Sequence, residues 1–321
     1  MNNKIIIVCG DPFSINSEII YKTWNKLNTK LKKNIFLIGN YKLISKQLVK
    51  LKKKDILLKV KNIASSSNSR KLKIIDISLK YKYPFKIGIK DSEKYIIKSL
   101  NMAHELASSK NVKGLINCPI DKKLISSTKK IGLTEFFASK CQVKKDSEVM
   151  LIYNKKLSVL PLTTHIDLKD VTKSINKRLI INKITTLNKF YKKILKKNPK
   201  IAVLGLNPHN GEFKKNSKEI KEIYPAITLL KKKGLNIEGP ISADTIFIDK
   251  FKKFDVVVGT YHDQVLTPFK TLFKFDAINL TLGLKYIRVS PDHGPAVDLI
   301  GKNKANYLSL LKCVNFIDKL S

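Results

Sequence analysis

The chain has 321 residues, 43% of them hydrophobic, and carries a formal charge of +38 from 63 Lys and Arg against 25 Asp and Glu. That length buries a sizeable core and suits two domains, and the hydrophobic share is that of an ordinary globular protein. The charge invites a nucleic-acid or membrane-surface role. However, the basic residues are almost all Lys, spread along the chain, with no zinc-finger spacing, RNA-binding aromatic signature or basic arm. That distribution favours biased composition on solvated positions over a nucleic-acid partner.

In chain order, Lys4 to Val8 reads as a buried strand closed by Gly10-Asp11-Pro12, and Ser17 to Leu31 as a helix with Ile19, Ile20 and Trp24 inward. Asn34 to Ile38 is a second strand, giving the strand–helix–strand rhythm of a mainly parallel sheet. Residues 45–73 read as a peripheral helix, a short strand and an exposed connection through the polar run 65–69. Ser92 to Ser108 is a helix and Val112 to Asn117 a strand. After about residue 128 come strands near 148–153, 157–162, 201–206 and 255–259 and helices near 170–196 and 217–233. Short strands at 278–280 and 286–289 precede a closing helix over 304–319. Cys9, Cys118, Cys141 and Cys313 lack CxxC spacing and read as reduced, mostly buried thiols. Ile5 to Cys9 is too short for the apolar part of a signal peptide, and no run approaches membrane-spanning length. The expected location is the cytoplasm, with no membrane partner.

Three of these strands share one grammar: an apolar run followed by a polar cluster containing a histidine. They are LSVLPLTTHID with His165, IAVLGLNPHNG with His209, and VVVGTYHDQ with His262, in a chain of five histidines. The carboxyl ends of strands are where open α/β sheets bind ligands. Neutral imidazole is a common ligand for divalent transition metals, and three of them with an open position form a catalytic arrangement. Taken alone, each histidine reads as a solvated or hydrogen-bonded loop residue; it is the set of three at strand ends that points to a metal. Asp244 is a candidate fourth ligand or a carboxylate that orients one; its ordinary alternative is a helix N-cap. Lys270, Asn279 and Arg288 suggest anion binding, and Arg288 stands out where Lys is used nearly everywhere else, because guanidinium binds phosphate or carboxylate with two parallel bonds. Its ordinary alternative is a surface cation. No GxGxxG follows the first strand, so a Rossmann dinucleotide site is disfavoured. The stretch HGPAVDLIGKNKAN from His293 instead offers glycines and small residues in a loop entering a helix, where backbone can approach an adenosine closely.

Taken together, TTHIDLKDV (163–171), GLNPHNGE (205–212), GPISADTIF (239–247), YHDQVLTPFK (261–270) and NLTLGLKYIRVSPDHG (279–294) resemble the 4-hydroxythreonine-4-phosphate dehydrogenase family of vitamin B6 biosynthesis; CPIDK (118–122) and GLTEFFA (132–138) match more loosely. The stretch from His293 also resembles the cofactor loop of isopropylmalate and isocitrate dehydrogenases. The resemblance implies an isocitrate/isopropylmalate dehydrogenase-like fold of two α/β/α domains, 1–128 with 290–321 and 129–289, in a homodimer with shared active sites. It implies one divalent metal per subunit (Zn, Mg, Mn or Co) on His165, His209 and His262, and substrate contacts from Thr134, Lys270, Asn279 and Arg288. His293, Gly294 and Asn306 would lie near NAD or NADP, and Asp244 and Lys270 are the candidate catalytic side chains. The implied reaction is hydride transfer from a carbinol carbon to NAD(P)+ followed by loss of carbon dioxide, on a phosphorylated hydroxy acid.

The chain departs from the family at Leu133, where a histidine is expected before Thr-Glu, in its glycine-poor first turn (Asp11 to Asn16), and at Phe213 to Asn216, where glycines are expected. These departures open an alternative substrate, a four-carbon sugar-acid phosphate of the threonate or erythronate type. They also open a different class, an inactive basic nucleic-acid-binding or scaffold relative, against which the intact histidine set argues.

Overall fold

A computed structural model describes residues 3–64, 70–109, 111–128 and 132–320; the polar run 65–69 lies outside the described residues. The chain forms two compact units, residues 1–140 with 285–320 and residues 141–284. The changeovers expected near 128 and 290 therefore fall at 140 and 285, which puts the helix carrying Thr134 and the segment before Arg288 in the first unit.

The first unit begins with β1 (Lys4–Val8), α1 (Asn16–Lys26), α2 (Thr29–Asn34), β2 (Ile35–Gly39), α3 (Tyr41–Lys50), β3 (Leu57–Val60), β4 (Leu72–Asp76), α4 (Ile89–Ser108), β5 (Val112–Asn117) and α5 (Leu133–Lys140). The second unit holds β6 (Val149–Tyr153), β7 (Ser158–Pro161), α6 (Leu168–Ser174), α7 (Lys177–Lys193), β8 (Ile201–Leu204), α8 (Tyr224–Lys232), β9 (Ile237–Ile241), α9 (Ala243–Ile246), β10 (Val256–Gly259), α10 (His262–Phe273) and β11 (Ile278–Leu282). The chain then returns to the first unit for β12 (Arg288–Pro291) and α11 (Leu308–Lys319).

In the first unit the strand order is β3-β4-β2-β1-β5-β12, all parallel. In the second it is β11-β6-β7-β10-β8-β9, antiparallel across β11-β6-β7 and parallel across β7-β10-β8-β9. Parallel strands covered on both faces need continuous apolar runs rather than alternation. β1, β2, β8 and β10 supply them, and Ile6, Leu37, Ala202 and Val257 are fully buried.

Local chemistry explains where the elements differ from the sequence reading. The expected helix over 17–31 is broken at Leu27-Asn28, because the Asn28 side chain accepts from Leu31 N at 2.9 Å and starts α2. Asn176 does the same for Leu179 N at 2.9 Å, dividing the expected 170–196 helix into α6 and α7. The closing helix starts at Leu308 rather than 304. Four elements, α5, β9, α9 and α10, lie in stretches where no regular element is expected, and 45–73 holds two strands, not one.

Candidate active site

The second unit places its three histidines after adjacent parallel strands, His165 after β7, His262 after β10 and His209 after β8, on one carboxyl edge of the sheet. The pairing of β7 with β10 continues past the strands. Leu162 N donates to Gly259 O at 2.8 Å, and both Thr163 N (3.2 Å) and Thr163 Oγ1 (2.8 Å) donate to Thr260 O. This zipper carries His165 and His262 to within 5.7 Å of each other, centroid to centroid, with the rings tilted by 40°.

His262 is the first residue of α10, and its Nδ1 lies 2.6 Å from Asp263 Oδ1. A carboxylate only accepts, so Nδ1 carries the hydrogen and Nε2 keeps its lone pair for a ligand, the usual way a carboxylate prepares a metal-binding imidazole. Gln264 ties the neighbouring strand ends together. Its Oε1 accepts from Thr260 N (2.7 Å) and Thr260 Oγ1 (2.9 Å), and its Nε2 donates to Gly205 O (2.8 Å). Gly259 is required there, since a Cβ would meet Val265 Cγ1 at 2.5 Å.

His209 does not join that pair. It sits in a run of left-handed backbone, with φ of 48° at His209, 57° at Asn210, 62° at Gly211, 49° at Glu212 and 54° at Phe213. For residues other than glycine such a conformation costs about 1–2 kcal/mol each, so the surroundings must hold it. Glu219, fully buried, does so. Its carboxylate accepts from Leu206 N (2.8 Å), Asn207 N (2.7 Å) and Asn207 Nδ2 (3.0 Å). Burial pushes the Glu219 carboxyl upward, but these donors outweigh it and leave it below its ordinary range. The turn presents the exposed His209 ring, whose Nδ1 is 3.9 Å from Asp244 Oδ2. Asp244 lies in the first turn of α9 and is not its N-cap, which is Ser242. Among the described residues no three His, Cys, Asp or Glu side chains of one chain gather around a common point fit for a metal ion. The expected three-imidazole group is thus two imidazoles plus a separate His209–Asp244 pair. The two facing rings, one with Nε2 free by tautomer, suit a divalent cation as part of its ligand set. Among the described residues of one chain no third His, Cys, Asp or Glu completes that set.

Lys270 lies two turns beyond His262 in α10, half-buried. Asn279 sits on β11 opposite Ile152, and its Oδ1 is buried without a hydrogen-bond partner.

In the first unit, Thr134 is buried in the first turn of α5. Arg288, at the start of β12, is not a surface cation, being 2% exposed. Its Nε donates to Asn117 Oδ1 at 2.7 Å and its guanidinium stands 5.5 Å from the Phe137 ring. Burial lowers its pKa to about 10, against the opposing pull of Tyr286, Glu135 and Cys313, so it remains cationic at neutral pH. Cys9, Cys118 and Cys313 are buried thiols pushed well up by desolvation, Cys9 and Cys313 also by Cys118.

His293 Nδ1 bonds the Gly294 carbonyl at 3.0 Å, which leaves Nε2 as an acceptor, buried and unpartnered. A Cβ on Gly294 would meet nothing within 4 Å. An orphaned acceptor beside open backbone fits a ligand bearing N–H donors, such as an adenine or a carboxamide. Asn306 Oδ1 accepts from Leu308 N at 2.9 Å, so this residue closes the turn that leads into α11.

The sequence reading singled out the histidines because polar residues at the end of an apolar strand are visible in one dimension. It gave no role to Gln264 or Glu219. Gln264 stood in plain view beside His262, whereas nothing marks Glu219 among the lysines of its segment.

Comparison with known proteins agrees along the chain. The sequence model of the pyridoxal phosphate biosynthetic protein PdxA family matches residues 31–317. A 4-hydroxythreonine-4-phosphate dehydrogenase from Sulfurihydrogenibium sp. (strain YO3AOP1) is 39% identical over 320 residues, 97% of this chain and 96% of that protein. A crystal structure of 4-hydroxythreonine-4-phosphate dehydrogenase from Klebsiella pneumoniae superposes with a TM-score of 0.84 at 28% identity, covering 98% of both chains. Isocitrate dehydrogenase from Methylococcus capsulatus, at 11% identity and a TM-score of 0.50 over 98% of this chain and 84% of its own, shares the fold.

Proposed function

The chain belongs to the pyridoxal phosphate biosynthetic protein PdxA family, and from that premise we propose that it is an NAD(P)-dependent, metal-assisted dehydrogenase. It converts 4-hydroxythreonine 4-phosphate by oxidative decarboxylation to 3-amino-2-oxopropyl phosphate, in the cytoplasm. The observation that carries this reading is the facing pair of His165 and His262, with the His262 tautomer set by Asp263.

His165 and His262 hold a divalent cation (Zn, Mg, Mn or Co), and His209 of a second copy completes the set in a homodimer. That arrangement accounts for a His209 that is presented outward with Asp244 beside it. When bound, the cation supplies Lewis acidity and the nicotinamide accepts hydride. Lys270, Asn279, Thr134 and Arg288 hold the phosphate and carboxylate, fixing the substrate for transfer. Asp244 and Lys270 are the candidate catalytic side chains. His293, Gly294 and Asn306 receive the dinucleotide.

A second reading, in which the substrate is a four-carbon sugar-acid phosphate, is favoured by one observation. Leu133 begins α5 next to Thr134, and its side chain cannot hydrogen-bond an amine or a phosphate. The test is NAD(P)H absorbance with both phosphorylated acids, before and after chelation and with metal restored. We expect turnover of 4-hydroxythreonine 4-phosphate that chelator abolishes and divalent metal restores. Activity indifferent to chelator sinks the metal-assisted reading, and preference for the sugar acid, reversed in Leu133→His, moves the assignment to the second.

A further inference from the structure

The loop that follows His293 is gripped at both ends by α1. At its start, Ile15 N donates to Pro295 O at 3.3 Å. At its end, the attachment is made by two side chains one helical turn apart. Glu18 is 2% exposed, and its Oε1 accepts from Ala305 N at 2.8 Å and from Lys22 Nζ at 2.6 Å. Lys22 Nζ also donates to Ala305 O at 3.0 Å and to Asn303 O at 3.1 Å, so all three of its protons are used. Between residues 301 and 306 only Ala305 is buried. Asn303 is held in the left-handed region at φ 55° without being glycine, and its carbonyl bond to Lys22 is part of what keeps it there. The rest of the loop is closed by its own short turns, Leu299 N to Ala296 O (3.0 Å) and Lys302 N to Leu299 O (3.1 Å).

A buried carboxylate and an ammonium spent on each other and on the backbone of an exposed loop do more than cap a helix. We propose that Glu18 and Lys22 are positioning residues for the nicotinamide cofactor. They touch neither substrate nor cofactor, and they set the shape of the loop that presents His293, Gly294 and Asn306. The proposal rests on the dehydrogenase reading above and adds to it two residues on the first helix, far in sequence from the loop they serve. Loss of either ammonium or carboxylate frees the Ala305 peptide and lets the loop sample other shapes, so the cofactor must order it on binding. That penalty falls on cofactor affinity and not on the chemical step.

The full-length protein and its Lys22→Met, Lys22→Arg and Glu18→Gln variants are compared by fluorescence titration of NADH and NADPH, by amide hydrogen exchange over residues 295–306, and by steady-state kinetics. Lys22→Met is expected to weaken dinucleotide binding about tenfold or more and to speed exchange at residues 303–305. The cofactor KM should rise with it, with kcat at saturating cofactor and the substrate KM unchanged. Lys22→Arg, which keeps donors and charge, should restore most of the affinity. Should Lys22→Met fail to fold, Glu18→Gln, which keeps the shape of the side chain, gives the same readouts. Faster exchange with unchanged dinucleotide affinity overturns the proposal, as does a loss of affinity with the loop's exchange unaltered. Wild-type protein that binds neither dinucleotide refutes the dehydrogenase reading itself; wild type and variants that bind equally well refute only the positioning role.

Discussion

Asp11, 6% exposed, closes the turn after β1, with Oδ1 accepting from Phe13 N at 2.8 Å and Oδ2 from Asp121 N at 3.3 Å. Burial raises its pKa from 3.8 to about 6; the two backbone donors oppose the rise and the nearby Asp121 charge adds to it. The folded state therefore holds this proton more tightly than the unfolded chain does. Its contribution favours folding most below the unfolded value and is lost as pH rises from there through about 6. Asp11→Asn keeps the acceptor for Phe13 and removes the buried charge. It should stabilise the protein by about 1–2 kcal/mol at neutral pH, with the gain fading to nothing below about pH 4. Denaturant midpoints at the two pH values check this, and a gain equal at both would show that ionisation is not its source. Asp11 could be picked out in the sequence as part of a turn, but its burial could not, since that depends on Pro119 and Asp121 arriving from β5. The same distinction separates His165 and His262, visible as polar residues ending apolar strands, from Arg288, whose rarity among lysines was visible but whose burial against Asn117 and Phe137 was not.

Among the elements, the turn over 209–213 holds five consecutive residues at positive φ, and Glu219 is what holds its base. A carboxylate whose pKa is depressed on folding contributes stability that is present above its unfolded value, near 4.5, and lost as pH falls through the lower folded value. Glu219→Gln replaces one accepting oxygen by a donor facing the Asn207 amide. It should cost about 1–3 kcal/mol at neutral pH and flatten the acid limb of the stability curve. Thermal denaturation between about pH 3 and pH 7 decides the matter; a variant as stable as wild type, with the same acid limb, would mean that the turn is held by other contacts. This element was half legible. NPHNG marks a turn, and the histidine marks a site, but the hand of the turn comes from a glutamate in a lysine-rich segment that reads as solvated. Helix boundaries failed for a related reason: Asn28 and Asn176 are ordinary surface residues to a periodicity argument and become breaks only when their side chains cap the next helix. β9, with Gly239 and Pro240 inside it, lacks the apolar run that revealed its parallel neighbours.

At the scale of the molecule, two mainly parallel α/β units were legible from the alternation of buried runs and helical stretches, whereas the strand order, which the crossovers decide, was not. Composition set one more property that the fold does not cancel. With 63 basic against 25 acidic side chains, basic side chains far outnumber the carboxylates available to pair with them. Their repulsion acts over a Debye length of about 10 Å at 0.1 M salt and disfavours the compact state, in which the charges are closer than in the unfolded chain. Raising sodium chloride from about 20 mM to about 300 mM shortens that length more than threefold. The melting temperature should therefore climb by several degrees, smoothly and without saturating at low salt. Sodium phosphate matched for ionic strength separates this from anion binding. If repulsion alone is at work, the two salts give the same curve. If the cationic residues form a site for a phosphorylated ligand, phosphate gives an added rise that saturates and that Lys270→Ala removes. A melting temperature that falls with sodium chloride would mean that attractive pairs such as Lys59–Asp76 and Arg178–Asp146 outweigh the excess of positive charge, and that the lysines are not merely filling solvated positions.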